Sequence, residues 1–207
     1  MKDETIKINP TKTALLLLHW QNDLATLSGK LAKNLPGRLA ATFTIQNTQA
    51  ILKASREAEM LVIYVNASHR SGYPEIHSPT NSIVVRSGSL VRGTWGAEVI
   101  EELKPMGDDV VIFNYSSNAF SYTELDLILR NKGITHLVLS GLVTNWIVES
   151  TARDAVARGY TIYTISNCCQ SFSDEMHNWS ITNILSAIGS VFDSKTFITI
   201  LGKKSEL

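Results

Sequence analysis

Five consecutive apolar residues, Ala14 to Leu18, run without a polar interruption into His19, Trp20, Gln21, Asn22 and Asp23. An uninterrupted run of this length reads as a strand buried on both faces, which is how strands of a parallel sheet covered by helices look. Similar runs recur along the chain: Leu61 to Val65, Asp109 to Phe113, His136 to Ser140, Thr161 to Ile165 and Thr196 to Leu201. Helical patterns separate them, over Leu39 to Ala58, Gly96 to Leu103, Thr123 to Lys132, Asn145 to Arg158 and Asp174 to Ser190. Two of these helices stop at glycines, Gly133 and Gly159, which suit a C-terminal cap. Strands alternating with helices imply βαβ crossovers. The expected fold is therefore α/β: a three-layer α/β/α domain with a mostly parallel sheet of about six strands.

No repeat, linker or low-complexity tract divides the 207 residues, so residues 1–207 read as a single domain. Hydrophobic residues make up 44% and charged residues 18%, too apolar for disorder. Lys plus Arg equals Asp plus Glu, and no basic stripe interleaves with aromatics, so no nucleic-acid partner is expected. A surface without net charge does not oppose self-association. No apolar run approaches the roughly 20 residues that cross a bilayer, and the charged start MKDETIKINPTKT lacks a signal-peptide core. Cys168 and Cys169 are adjacent, too constrained to bridge each other, which fits a reducing, cytoplasmic setting. They read as small packing residues.

The chemistry-bearing residues sit at strand ends, where open α/β sheets place their sites. His19 follows the first strand. Asn114, Tyr115, Ser116 and Ser117 follow the third. After the fourth, Gly141 leads into a helix that starts near Thr144 or Asn145, whose unpaired backbone amides can cradle an oxyanion. Two stretches lacking regular structure, Ala25 to Pro36 and Asn66 to Trp95, are long enough to close over a site.

Three ordered segments, ALLLLHWQNDL, NYSSNAFSYTELDLILRNKGI and LVLSGLVTNWIVESTARDAVARGY, resemble the motifs of the isochorismatase-like hydrolases. That family includes nicotinamidases, carbamoyl-group hydrolases and isochorismatase itself, and the resemblance runs from Lys12 to Leu201. It implies a homodimer or higher homo-oligomer and a small-molecule substrate. The family's hydrolases use an aspartate base, a lysine and a cysteine nucleophile. The matching positions here are His19, Asn114 and Ile147. Isochorismatases proper also lack the cysteine but keep the other two. Isoleucine has no nucleophilic atom, so the thioester route to amide hydrolysis is closed.

The resemblance further places a cis peptide bond between Leu142 and Val143, with the amides of Val143 and Ile147 aimed at a substrate oxygen. Trp20, Trp95, Trp146 and Tyr115 lie beside the strand-end motifs or in the long loop and are candidates for the walls of a flat, aromatic pocket, with Gln21, Ser116 and Thr144 as polar contacts. Trp179 reads as packing. Nicotinamidases hold a metal near the region of His69, Glu75 and His77, but the spacing here differs and the aspartate is missing, so no metal and no cofactor are expected. A serine nucleophile at Ser116 or Ser117 lacks an orienting third group.

Two functional readings stay open. In one, the protein is a hydrolase or lyase for a small planar molecule, with His19 transferring the proton, Asn114 polarising the substrate, and no covalent intermediate. In the other, it is a pseudoenzyme that binds a small ligand or a protein partner. A histidine can exchange protons near neutrality, which makes His19 the pivotal residue.

Overall fold

The run that opens the sequence forms the centre of the sheet. The structure is a computed structural model that describes residues 6–76 and 82–202. Strand β1 (Thr13–Leu18) is followed by a single helical turn α1 (Asn22–Ala25), then α2 (Leu35–Ala41) and α3 (Thr44–Glu57). Next come β2 (Leu61–Ala67), the short α4 (Ile83–Ser87), β3 (Val110–Asn114), α5 (Leu125–Asn131) and β4 (His136–Leu142). A π-helical segment, Thr144–Val148, continues directly into α6 (Glu149–Ala157). The chain ends with β5 (Thr161–Gln170), α7 (Asp174–Ser180), a second π-helical segment Ile181–Leu185, α8 (Ser186–Ile188), β6 (Ser190–Phe192) and α9 (Ser194–Leu201).

The six strands are all parallel in the order β3-β2-β1-β4-β5-β6. Because β1 lies between β2 and β4, the strand order reverses at its edge, and the crevice at the carboxyl ends of β1 and β4 is the place where such sheets bind ligands. Successive side chains of β1 alternate between two cores. Leu15 and Leu17 pack with Trp20, Leu35, Leu39, Ile51 and Phe197 on one face. Ala14, Leu16 and Leu18 pack with Ile112, Leu125, Leu129, Val148 and Leu185 on the other. The period of two within an all-apolar run is thus what fills both layers.

Leu18 pairs with Gly141 of β4, and a Cβ added at Gly141 would lie 2.5 Å from both the Leu18 Cβ and its carbonyl oxygen. Only glycine allows this approach, which sets β1 and β4 close together just before both chains leave the sheet.

The C-terminal segment corrects one sequence expectation. Thr196 to Leu201 is helical, and the sixth strand is the short Ser190–Phe192. The β-branched residues of Thr-Phe-Ile-Thr-Ile-Leu favour a strand locally. Asp193 nevertheless caps the helix by accepting the Thr196 N–H at 2.7 Å, and Phe197 and Leu201 bury one helical face at i, i+4. The expected helix over Leu39 to Ala58 is split at Phe43, whose φ is +52°. The stretch Gly96 to Leu103 holds two 3-10 turns, Trp95–Ala97 and Glu101–Leu103, rather than one helix. Among the described residues no helix is long and apolar enough to cross a membrane.

Candidate active site

His19 is the first residue beyond β1. Its N–H still bonds the Val65 carbonyl at 2.9 Å, but its φ of +54° swings the chain out of the strand direction. Histidine is among the few side-chain-bearing residues that adopt this conformation with any frequency. The ring is buried, and Nε2 lies 3.0 Å from Asn114 Oδ1.

Asn114, the last residue of β3, fixes which proton His19 carries. Its Nδ2 donates to the carbonyls of Ser116 at 2.7 Å and Asn118 at 3.4 Å. With both amide protons directed at carbonyls, Oδ1 is left to accept from His19, so the imidazole carries its hydrogen on Nε2 and its lone pair on Nδ1. Burial drives the His19 pKa from 6.5 down to about 4; the Asn114 bond pulls it up, and His69 pushes it down further. At neutral pH the ring is therefore an uncharged base and not an acid.

The neighbours of His19 frame it. Gln21 Nε2 donates to the carbonyls of Ala67 and Ala97, each at 2.7 Å, and its Oε1 accepts the Ala67 N–H at 2.9 Å. That side chain ties the ends of β1 and β2 to the 94–99 turn. Buried Asp23 accepts the Lys30 N–H at 3.0 Å and the Leu90 N–H at 2.7 Å, holding both long loops down. A Cβ at Gly96 would collide with the Asp23 carboxylate at 2.3 Å, so that loop passes only because residue 96 is glycine.

On the other side, the peptide bond between Leu142 and Val143 is cis, as the motif resemblance implies. Val143 caps the helix that begins at Thr144, so the first amides of that helix precede its first internal hydrogen bond. Ile147 is different: its N–H already donates to the Val143 carbonyl at 2.9 Å, so of the two expected backbone donors this one is engaged inside the helix. The Ile147 side chain contributes to the cavity wall instead.

These elements surround a cavity of about 680 Å³ bordered by His19, Ala67, His69, Tyr115, Ser116, Val143, Trp146 and Ile147, among others. Four sequence candidates lie elsewhere. Trp20 is fully buried in the core, with Nε1 donating to Ser140 Oγ at 3.3 Å, because its side chain points into the α2–α3 layer. Gln21 serves the loop ties just described. Trp95 is half exposed on its 3-10 turn outside the cavity. Thr144 Oγ1 is hydrogen-bonded to His177 Nδ1 at 2.8 Å. Trp146 is at the mouth and 42% exposed, while Trp179, expected to pack, is 55% exposed.

A match to the isochorismatase domain model extends over residues 13–196. The chain belongs to the isochorismatase family of hydrolases. It is 30% identical to the ureidoacrylate amidohydrolase of Acinetobacter baylyi over 99% of this chain and 89% of that protein. Its fold superposes on a cysteine hydrolase from Pseudomonas syringae pv. phaseolicola with a TM-score of 0.86 and 26% identity, covering 95% of each chain. The N-carbamoylsarcosine amidase of Thermoplasma acidophilum follows with a TM-score of 0.70 and 26% identity, over 88% of this chain and 96% of that one.

Within this isochorismatase-family fold, the sequence motifs located His19, Asn114, Tyr115, Ser116, Val143 and Trp146 around or directly behind the cavity. They did not reveal Lys33, Phe172 and Met176, which reach it from loops and from α7. Nor did they give Asp23 its role of fastening the loops. No periodicity marks such residues; only the folding of the loops brings them in. Among the described residues no three His, Cys, Asp or Glu side chains gather as a metal site, and His77 lies outside the described residues. Cys168 and Cys169 are buried in β5, and burial raises both thiols, Cys169 to about 12, so neither is a nucleophile at neutral pH.

Proposed function

We propose that this isochorismatase-family hydrolase cleaves the amide or ureido C–N bond of a small planar molecule by direct attack of water, with His19 as the proton-transfer residue. The observation that supports this best is the His19–Asn114 pair, which fixes the Nε2–H tautomer and leaves Nδ1 as the one basic nitrogen of a ring bordering the cavity. A histidine lowered to about 4 has the proton affinity of an ordinary aspartate, the residue the family uses at this place. Burial thus gives His19 the basicity of a carboxylate without its charge.

In the reaction, Nδ1 takes a proton from water as its oxygen attacks the carbonyl. The Val143 amide and the first turn of the helix face the developing oxyanion. The proton then passes from His19 to the departing nitrogen, which leaves as ammonia or an amine while the C–N bond breaks. Ile147 takes no covalent part; its apolar side chain excludes solvent from one side of the reacting carbonyl. The similarity to a ureidoacrylate amidohydrolase and to an N-carbamoylsarcosine amidase supports this bond type. A homodimer or higher oligomer in the cytoplasm belongs to the same reading, supported by exposed Trp146 and Met176 at the cavity, by exposed Trp179 on α7, and by two unpaired cysteines.

A binding role without turnover is the second reading, favoured by isoleucine where the family's cysteine stands. Mass-spectrometric turnover of a panel of small amides, ureas and vinyl ethers separates the two. The wild type is expected to convert at least one amide or urea. His19→Gln, whose side-chain N–H can still bond Asn114 but which has no basic nitrogen, is expected to lose that conversion while keeping its thermal stability. Ligands that stabilise both proteins equally and emerge unchanged would establish the binding role instead.

A further inference from the structure

Two residues that border the cavity, His69 and Glu75, each carry a buried polar atom, Nδ1 and Oε2, with no hydrogen-bond partner among the described residues. A buried polar atom left without a partner is unfavourable, so two on neighbouring residues of one cavity call for an occupant. Neither group is loosely held. The His69 N–H donates to the Leu90 carbonyl at 2.9 Å, and the His69 carbonyl accepts the Arg92 N–H at 2.8 Å. The ring is flanked by Tyr73 at 5.7 Å and Tyr115 at 6.2 Å between centroids. Tyr73 is fixed in turn through its hydroxyl, which donates to the Ser89 carbonyl at 2.8 Å. Glu75 is clamped by Arg70, which bonds Oε1 and leaves Oε2 free.

The charges define what such an occupant offers. Arg70 holds the Glu75 carboxyl below the usual range, so Oε2 is an anionic acceptor at neutral pH. Burial lowers His69, against the opposing pull of Glu75, so its ring is neutral. The titratable groups around this pair are His19, Tyr73, Tyr115 and Arg70. Of the described cations nearby, Arg70 is spent on Glu75, Arg92 is bonded to the Tyr115 hydroxyl, and Lys33, which also borders the cavity, lies over the Phe172 ring.

We infer that His69 and Glu75 form a subsite for a nitrogen bearing at least two hydrogens: an amide or ureido NH₂ of the substrate, or the ammonia released from it. One N–H is received by Glu75 Oε2 and the other by His69 Nδ1, with the His69 proton on Nε2. This deepens the hydrolase reading and rests on it for the meaning of the nitrogen as leaving group, but the binding itself does not require turnover. His19 then faces the same group from the end of β1, so the base that collects the proton from water stands beside the nitrogen that needs it.

The test is NMR of protein labelled at the histidine rings, titrated with acetamide, methyl acetate, ammonium chloride and sodium chloride. His69→Gln assigns the signals. Acetamide is expected to shift the His69 ring nitrogens saturably, with methyl acetate and sodium chloride inert. Glu75→Gln is expected to weaken this response about tenfold or more, the worth of a charged hydrogen bond. A response to ammonium and not to acetamide assigns the subsite to the released product. The subsite is overturned if acetamide moves His19 but not His69, if methyl acetate acts like acetamide, or if neither acetamide nor ammonium shifts His69. Failure of the hydrolase reading looks different: no turnover, with the His69 response to acetamide intact.

Discussion

His19 Nε2 and Asn114 Oδ1, 95 residues apart in the chain, meet at 3.0 Å at the carboxyl ends of β1 and β3. The contact joins two neutral groups that hydrogen-bond directly. A buried ion pair repays its desolvation only with good geometry, and a neutral pair avoids that cost altogether. The consequence is an imidazole whose pKa is lowered chiefly by burial, with a tautomer imposed by the carbonyls of Ser116 and Asn118.

Asn114→Asp tests that relationship. An anionic oxygen on Nε2–H stabilises the imidazolium, so the His19 pKa is expected to climb from about 4 back toward or above 6.5, read by NMR titration of the ring. An unchanged value would mean that Asn114 does not face Nε2.

Stability falls with acid in a defined window. The unfolded His19 titrates at 6.5 and the folded one at about 4, so between these values the unfolded chain binds the extra proton and stability rises with pH. Acidifying from pH 6.5 to 4 is expected to cost roughly 3 kcal/mol from His19 alone. His69, His136 and His177, all lowered first by burial, act with the same sign. Urea unfolding at several pH values, with His19→Gln showing a shallower dependence, measures it.

Ile147→Cys places a thiol on the cavity wall, at the first turn of a helix. Iodoacetamide is expected to alkylate the native variant at that one position and to leave the folded wild type unmodified, because Cys168 and Cys169 are buried with raised thiol pKa values. Intact-mass spectrometry gives the count. Labelling of the folded wild type would show that β5 opens.

Gly141→Ala is expected to destabilise by about 3 kcal/mol, at the upper end for overpacking, since one of the colliding atoms is the Leu18 carbonyl oxygen and cannot rotate away. The same displacement moves His19, the next residue. Denaturant unfolding reads the first effect, and the His19 ring signals read the second.

The alternation of apolar runs with amphipathic stretches was enough to determine a parallel α/β sheet, because fully buried strands and half-buried helices carry periodicities that survive in one dimension. Strand ends likewise announced His19, Asn114 and Val143. Where local preference and tertiary context disagreed, context won: the β-branched stretch after Asp193 became α9 because a cap and a buried i, i+4 face outweighed strand propensity. The site itself was decided only in three dimensions. Trp20 and Trp146 look equivalent as aromatic residues beside strand-end motifs, yet one is sealed in the core and the other stands at the mouth. Whether a side chain points into a layer or a crevice depends on the backbone turn beside it, and no pattern in the sequence marks the φ of +54° at His19.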